Sequence, residues 1–116
     1  MTDTVDRGRL RSLLAGELQR FRDTHPRSAE QYERALRSLV GGVPMPWMML
    51  WAGGYPITAT RADGSRIVDV DGHEYIDLCL GDTGAMTGHG FQALLEALSD
   101  RAGRGLTLML PTEDAA

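Results

Sequence analysis

Ile67-Val68-Asp69-Val70-Asp71-Gly72-His73-Glu74-Tyr75-Ile76-Asp77-Leu78 is the stretch on which the fold turns. Asp71-Gly72 separates two runs rich in β-branched and aromatic residues, and an Asp-Gly pair supplies the positive-φ position that a tight hairpin needs. The spacing predicts strands over 66–70 and 73–80. In the second of these, Ile76, Leu78 and Leu80 share one face, with Tyr75, Asp77 and Cys79 on the other. Just upstream, Ala62-Asp63-Gly64-Ser65 forms a second turn, preceded by a strand-like run over 57–61. Residues 57–80 therefore read as a three-stranded antiparallel meander.

Both flanks of the meander read as helical. Leu10, Leu13, Leu14, Leu18 and Phe21 repeat at helical spacing and predict an amphipathic helix. It should stop before His25-Pro26, because a residue preceding proline is pushed out of the helical region. A second helix follows at once. Ser28 is placed to cap it and Gln31 to complete a capping box, with Tyr32, Ala35, Leu36 and Leu39 as its apolar stripe and Gly41-Gly42 as its end. On the C-terminal side, residues 81–90 form a glycine-rich bend. Phe91, Leu94, Leu95, Leu98 and Ala102 then mark a last helix, closed by Gly103 and Gly105. Leu106-Thr107-Leu108-Met109-Leu110 reads as one more strand or an extended run.

The expected fold class is α+β, with four segments. A helical segment (1–42) leads into an apolar loop (43–56), the meander (57–80), and then the bend, helix and end (81–116). The loop carries Met45, Trp47, Met48, Met49, Leu50 and Trp51 among five prolines and glycines that break any period. A loop so apolar needs a cover: it packs under a core, walls a pocket, or meets another subunit. A small meander also needs a covering layer, so the chain reads as a piece of something larger.

Composition excludes several function classes. The 116 residues carry a net charge of −4, with no basic run able to track phosphates, so nucleic acid is not an expected partner. The start lacks a basic, apolar leader, and the apolar stretch over 43–52 is too short to cross a bilayer; a soluble, cytoplasmic protein is expected. Cys79 is the lone cysteine, which rules out a disulfide framework, and its strand position predicts a small buried hydrophobe. His25, His73 and His89 lie at three separate punctuation points rather than at ligand spacing, and Gly72 falls too early for a calcium loop; no metal site is expected. Gly81, Gly84, Gly88 and Gly90 match no phosphate-loop pattern. A bend that lets backbone approach a ligand or another subunit stays open. No serine sits in a nucleophile elbow. All twelve basic side chains are arginine, and none is lysine.

The quoted hairpin resembles the "D-V-D-G-x-x-Y-I-D" element of class-III, fold-type-I pyridoxal-phosphate enzymes. Gly84 and Gly88-His89 follow it at a similar distance and open a helix. Upstream, Gln31-Tyr32-Glu33-Arg34-Ala35 and Leu39-Val40-Gly41-Gly42-Val43 are similar to the helix and glycine turn before that element, and downstream residues 105–113 resemble the segment that closes the N-terminal part. The likeness runs from about Arg20 to Asp114. It falls in the branch of glutamate-1-semialdehyde aminomutases and β-amino-acid aminotransferases.

The resemblance implies an N-terminal fragment of an enzyme that moves an amino group between an amine or amino acid and a carbonyl compound. Such enzymes use pyridoxal 5'-phosphate held on a lysine. They are homodimers with active sites at the subunit interface, and their N-terminal part lines the substrate side. Arginine cannot replace that lysine, so the chain alone is expected to be inactive, with no catalytic and no cofactor-binding residue of its own. Trp47, Thr83 and Gly84 are the substrate-side pocket candidates. The aminomutases carry an aromatic residue where this chain has Thr83. Pro44-Met45-Pro46-Trp47 replaces an Asn-Ser-x-Arg run whose arginine is a carboxylate clamp in the relatives. Both departures favour an apolar or amine substrate as much as a dicarboxylate. The alternative is a free-standing interaction module, or half of a split enzyme whose partner is encoded downstream.

Overall fold

The structure, a computed structural model, describes residues 5–82, 84–106 and 108–113. Helix α1 spans Arg7–Thr24, capped by Asp6, whose carboxylate accepts the Arg9 amide at 3.0 Å. It ends where expected. His25 leaves the helical region at φ −125°, ψ 47°, and Pro26 opens the next helix, α2, at its first position.

Helix α2, Pro26–Ala35, departs from the expected start and end. Ser28 is not its cap: His25 is, and its side chain makes no capping bond. Ser28 lies inside the first turn, fully buried, and bonds to an aspartate 43 residues away. A capping box is a local pattern; here a more distant anion wins the helix N-terminus. The helix also stops at Ala35, well before Gly41-Gly42. A short 3-10 turn, Val40–Gly42, carries φ of 67° at Gly41 and 69° at Gly42. Gly42 has a second reason to be glycine, since a Cβ there would meet the Tyr32 ring at 2.6 Å.

Residues 43–56 hold another 3-10 turn, Pro46–Leu50, rather than a wholly irregular loop. The meander is present, as β1 (Ala59–Asp63), β2 (Arg66–Asp69) and β3 (Glu74–Ile76) in the order β1-β2-β3. Gly64 and Gly72 take positive φ at the two turns, 52° and 95°. Strand β3 is much shorter than the sequence period suggests. Asp77 ends it: one carboxylate oxygen accepts the amides of Cys79 and Leu80, both at 2.9 Å, and Leu80 turns to φ 51°. Such side-chain-to-backbone bonds compete directly with a ladder. Cys79 therefore lies beyond the strand and is exposed, not the buried hydrophobe its alternation implied. Helix α3 spans Gln92–Ala102. Leu106 and 108–110 form no strand.

Contacts divide the chain into two compact units. One comprises the described residues up to Arg61 together with Ile67–Tyr75; the other comprises Ala62–Arg66 and the residues from Ile76 onward. In the first unit, the Phe21 ring stacks on His25 at 4.3 Å and meets Tyr55 at 5.0 Å, while Tyr32 reaches Tyr55 at 6.1 Å. Gly53 lets the backbone pass this cluster, since a Cβ would stand 2.6 Å from the Phe21 ring. In the second unit, Gly64 and His89 exchange backbone bonds of 2.9 and 2.8 Å, which pins the hairpin tip to the glycine bend.

The apolar core is thin. Among the described residues Val43 is the one buried hydrophobe, whereas Leu10, Leu13, Leu14, Trp47, Leu50, Leu78 and Met109 are all exposed. Ser28 and Asp69, both polar, are the most deeply buried side chains. Order in the first unit therefore rests on a polar network.

Candidate functional site

Three aspartates of the quoted hairpin each clamp a different piece of chain. Asp69 closes β2 with its side chain wholly buried. One oxygen accepts the His73 amide at 2.8 Å. The other accepts the Tyr75 hydroxyl at 2.8 Å and faces His73 Nδ1 at 3.1 Å and His25 Nε2 at 3.6 Å. Burial pushes the Asp69 carboxyl up. The bonds from the His73 amide, the Tyr75 hydroxyl and the His73 ring outweigh it and hold the group below the usual carboxylate range. Tyr75 feels the converse. Burial first, then its bond to the Asp69 anion, push its hydroxyl up to about 12, so it is a fixed donor at neutral pH and not a base.

His25 arrives from the α1–α2 junction. Its Nδ1 lies 2.9 Å from the Phe21 carbonyl, which can only accept, so the proton belongs on Nδ1 and Nε2 faces Tyr75 at 2.9 Å. The His25 and His73 rings pack at 4.6 Å.

Asp71 serves the start of α2. It accepts the Arg27 amide at 2.7 Å, the Ser28 amide at 2.9 Å and the Ser28 hydroxyl at 2.7 Å. Ser28 Oγ in turn accepts the Thr58 amide at 3.2 Å. A helix N-terminus leaves orphan N–H groups and carries partial positive charge, and Asp71 satisfies both demands. Burial raises its carboxyl, but the three bonds from Ser28 and Arg27 lower it further. Within the second unit, Asp77 accepts the amides after β3 and pairs with His89 Nε2 at 2.7 Å. The His89 bond is the main reason the Asp77 carboxyl lies low.

The pocket candidates from the sequence fare unevenly. Trp47, 64% exposed on the Pro46–Leu50 turn, belongs to the first unit. Gly84 belongs to the second and donates its amide to the Gly81 carbonyl at 3.1 Å. Thr83 lies outside the described residues. The first unit holds a groove of about 490 Å³ lined by Tyr32, Arg34, Leu39, Val43, Met48 and Ile57 among others; Val43 and Met48 come from the apolar loop, but the share of α2 was not read from the sequence. Sequence reasoning missed the Asp69 cluster, because His25 stands 44 positions from Asp69 and no local spacing connects them.

No family model matches the chain. It is 42% identical over 93 residues to a glutamate-1-semialdehyde 2,1-aminomutase of Sorangium cellulosum, covering 78% of this chain and 21% of that one. The crystal structure of a glutamate-1-semialdehyde aminomutase from Pseudomonas aeruginosa superimposes with a TM-score of 0.85 and 45% identity, covering 96% of this chain and 24% of that one. A further structure of that enzyme is in complex with PMP. The β-phenylalanine aminotransferase of Variovorax paradoxus superimposes at TM-score 0.74 with 28% identity, over 85% of this chain and 23% of its own. The α+β arrangement and the hairpin thus place the chain among the class-III, fold-type-I pyridoxal-phosphate transferases. Within that class its likeness is to the glutamate-1-semialdehyde aminomutase and β-amino-acid aminotransferase branch. The chain spans about a fifth of the length of the curated relatives it matches.

The cofactor of that class, pyridoxal phosphate, does not fit the residues present. There is no lysine to hold it, and among the described residues no buried side-chain nitrogen or oxygen is left without a partner. The hairpin carboxylates are spent on holding the chain to itself.

Proposed function

We propose that these residues form the N-terminal, substrate-side segment of a pyridoxal-phosphate enzyme that moves an amino group between an amine or amino acid and a carbonyl compound. The carrying observation is the 45% identity at TM-score 0.85 over 96% of the chain. The segment's own work is architectural. Asp69, Asp71 and Asp77 fix the helix start and the glycine bend, while the covalent anchor for the cofactor lies in sequence that these residues do not supply. In the working homodimer, Trp47, Thr83 and Gly84 border the substrate. In this reading the enzyme is cytoplasmic. Among the described residues no helix is long and apolar enough to cross a membrane. Neither membrane nor nucleic acid is its partner.

The exposed side chains of Trp47, Leu50, Leu78 and Met109 support this reading, because a surface so apolar is stable only under a cover. They also favour a second one, in which the chain is half of a split enzyme or an interaction module covered by a separate polypeptide. Two measurements test the proposal. Borohydride treatment of the purified 116-residue chain with pyridoxal phosphate should trap no adduct on a side chain; a trapped adduct would overturn the architectural role. Intact mass from the native cell should find this sequence within a species several times 12.7 kDa. A species at 12.7 kDa would favour the split-enzyme reading and direct the search to a lysine-bearing partner.

A further inference from the structure

Asp69 brings together two histidines that no sequence period joins, and the three ligand atoms involved lie within 4.8 Å of one another. From Asp69 Oδ2 the separations are 3.1 Å to His73 Nδ1 and 3.6 Å to His25 Nε2. For these two pairs, an ion about 2.0–2.1 Å from each atom would subtend angles of roughly 100° and 120°, which bracket the tetrahedral value. We propose that His25 Nε2, Asp69 Oδ2 and His73 Nδ1 form a binding site for a first-row divalent transition ion, with zinc the best chemical match.

Five features of the cluster favour an ion. The donor set of two imidazoles and one carboxylate suits zinc and its neighbours, whereas calcium and magnesium take oxygen ligands. The Asp69 side chain is wholly buried and anionic, and a cation held against it would add charge compensation to the bonds it already accepts from His73 and Tyr75. His25 Nδ1 is tied to the Phe21 carbonyl, the outer bond that aims a ligating histidine, and Nε2 would exchange its 2.9 Å contact with the Tyr75 hydroxyl for the ion. The Asp69 oxygen not offered to the ion is held by the His73 amide, so the carboxylate is already oriented. His73, at 41% exposure, supplies both the freedom to close on the ion and a path from solvent. Three protein ligands leave a fourth position for water, the arrangement of an open rather than a closed zinc site. The ion takes the place of the Nδ1 proton that His73 offers Asp69, and the neutral ring keeps that proton by carrying it on Nε2 instead.

The test is calorimetric titration of the 116-residue chain with zinc chloride, beside His73→Ala and, as control, His89→Ala. The expected result is one ion per chain. Affinity should fall by more than about 100-fold in His73→Ala, beyond the roughly 10–100-fold that loss of a mere orienting partner causes, and should hold within twofold in His89→Ala. The unmodified chain loaded with cobalt(II) chloride should show the intense visible absorption of a four-coordinate ion, a readout that needs no variant to fold. Absence of saturable uptake, equal losses in both variants, or a weak six-coordinate cobalt spectrum would each overturn the proposal.

Discussion

Replacing Asp71 by alanine should be among the costliest single changes outside the aromatic cluster. Three donors converge on this carboxylate, from the Arg27 amide, the Ser28 amide and the Ser28 hydroxyl, at 2.7–2.9 Å. The Arg27 amide is at the surface and can turn to water. Ser28 is fully buried and cannot. A buried donor left unsatisfied costs about 1–3 kcal/mol, and losing the charge at a helix N-terminus about 0.3–1 kcal/mol more. The hydroxyl keeps part of its bonding by rotating, so the sum is about 2–4 kcal/mol. Urea unfolding followed by far-ultraviolet circular dichroism at neutral pH measures it. In a Ser28→Ala background the cost of Asp71→Ala should shrink by about 1–2 kcal/mol, because the hydroxyl bond is shared between the two positions. The pH dependence has a fixed sign. The folded carboxyl titrates below its unfolded value, so its stabilisation is present above about pH 4 and disappears as pH falls through the folded value. Parent and variant should converge in stability in strong acid. A cost under about 0.5 kcal/mol, or no coupling to Ser28, would refute the claim that this aspartate caps α2.

Gly53→Ala should destabilise by about 1–3 kcal/mol, because the added methyl meets the Phe21 ring and overpacks the cluster; thermal unfolding measures it, and an unchanged midpoint would sink the packing account. Tyr75→Phe should cost about 1–3 kcal/mol by stripping a donor from buried Asp69. Ultraviolet titration of the parent should show one tyrosine ionising late, at about 12, and that late phase should be missing from Tyr75→Phe. The order around residues 77–89 should loosen as pH falls, since the Asp77 carboxyl lies below its ordinary value and its contribution is lost as pH drops through that folded value. Amide exchange at Cys79 and Leu80 reads this, and protection that does not change on acidification would contradict the Asp77 bonds.

Much of the architecture was legible in the chain itself because it is written in local chemistry. Pro26 ends α1, the Asp-Gly turn makes the hairpin, and apolar spacing marks both outer helices; each is decided within a few residues by sterics or periodicity. The absence of lysine is equally plain in the sequence.

Tertiary structure decided what depends on bonds across long separations. Ser28 matched a local capping box, yet Asp71 took the helix end, since a fully charged acceptor satisfies more orphan donors than a hydroxyl can. Asp77 sat on an alternating strand pattern, yet its carboxylate captured the two amides that would have continued β3, and so exposed Cys79. His25 stands far from Asp69 and His73 in sequence, and only the closure of the α1–α2 junction onto the hairpin turns three scattered side chains into one cluster. Periodicity records which face a residue turns to a neighbour. It carries no record of which distant charge will meet that face, and in this chain the buried charges hold the fold together.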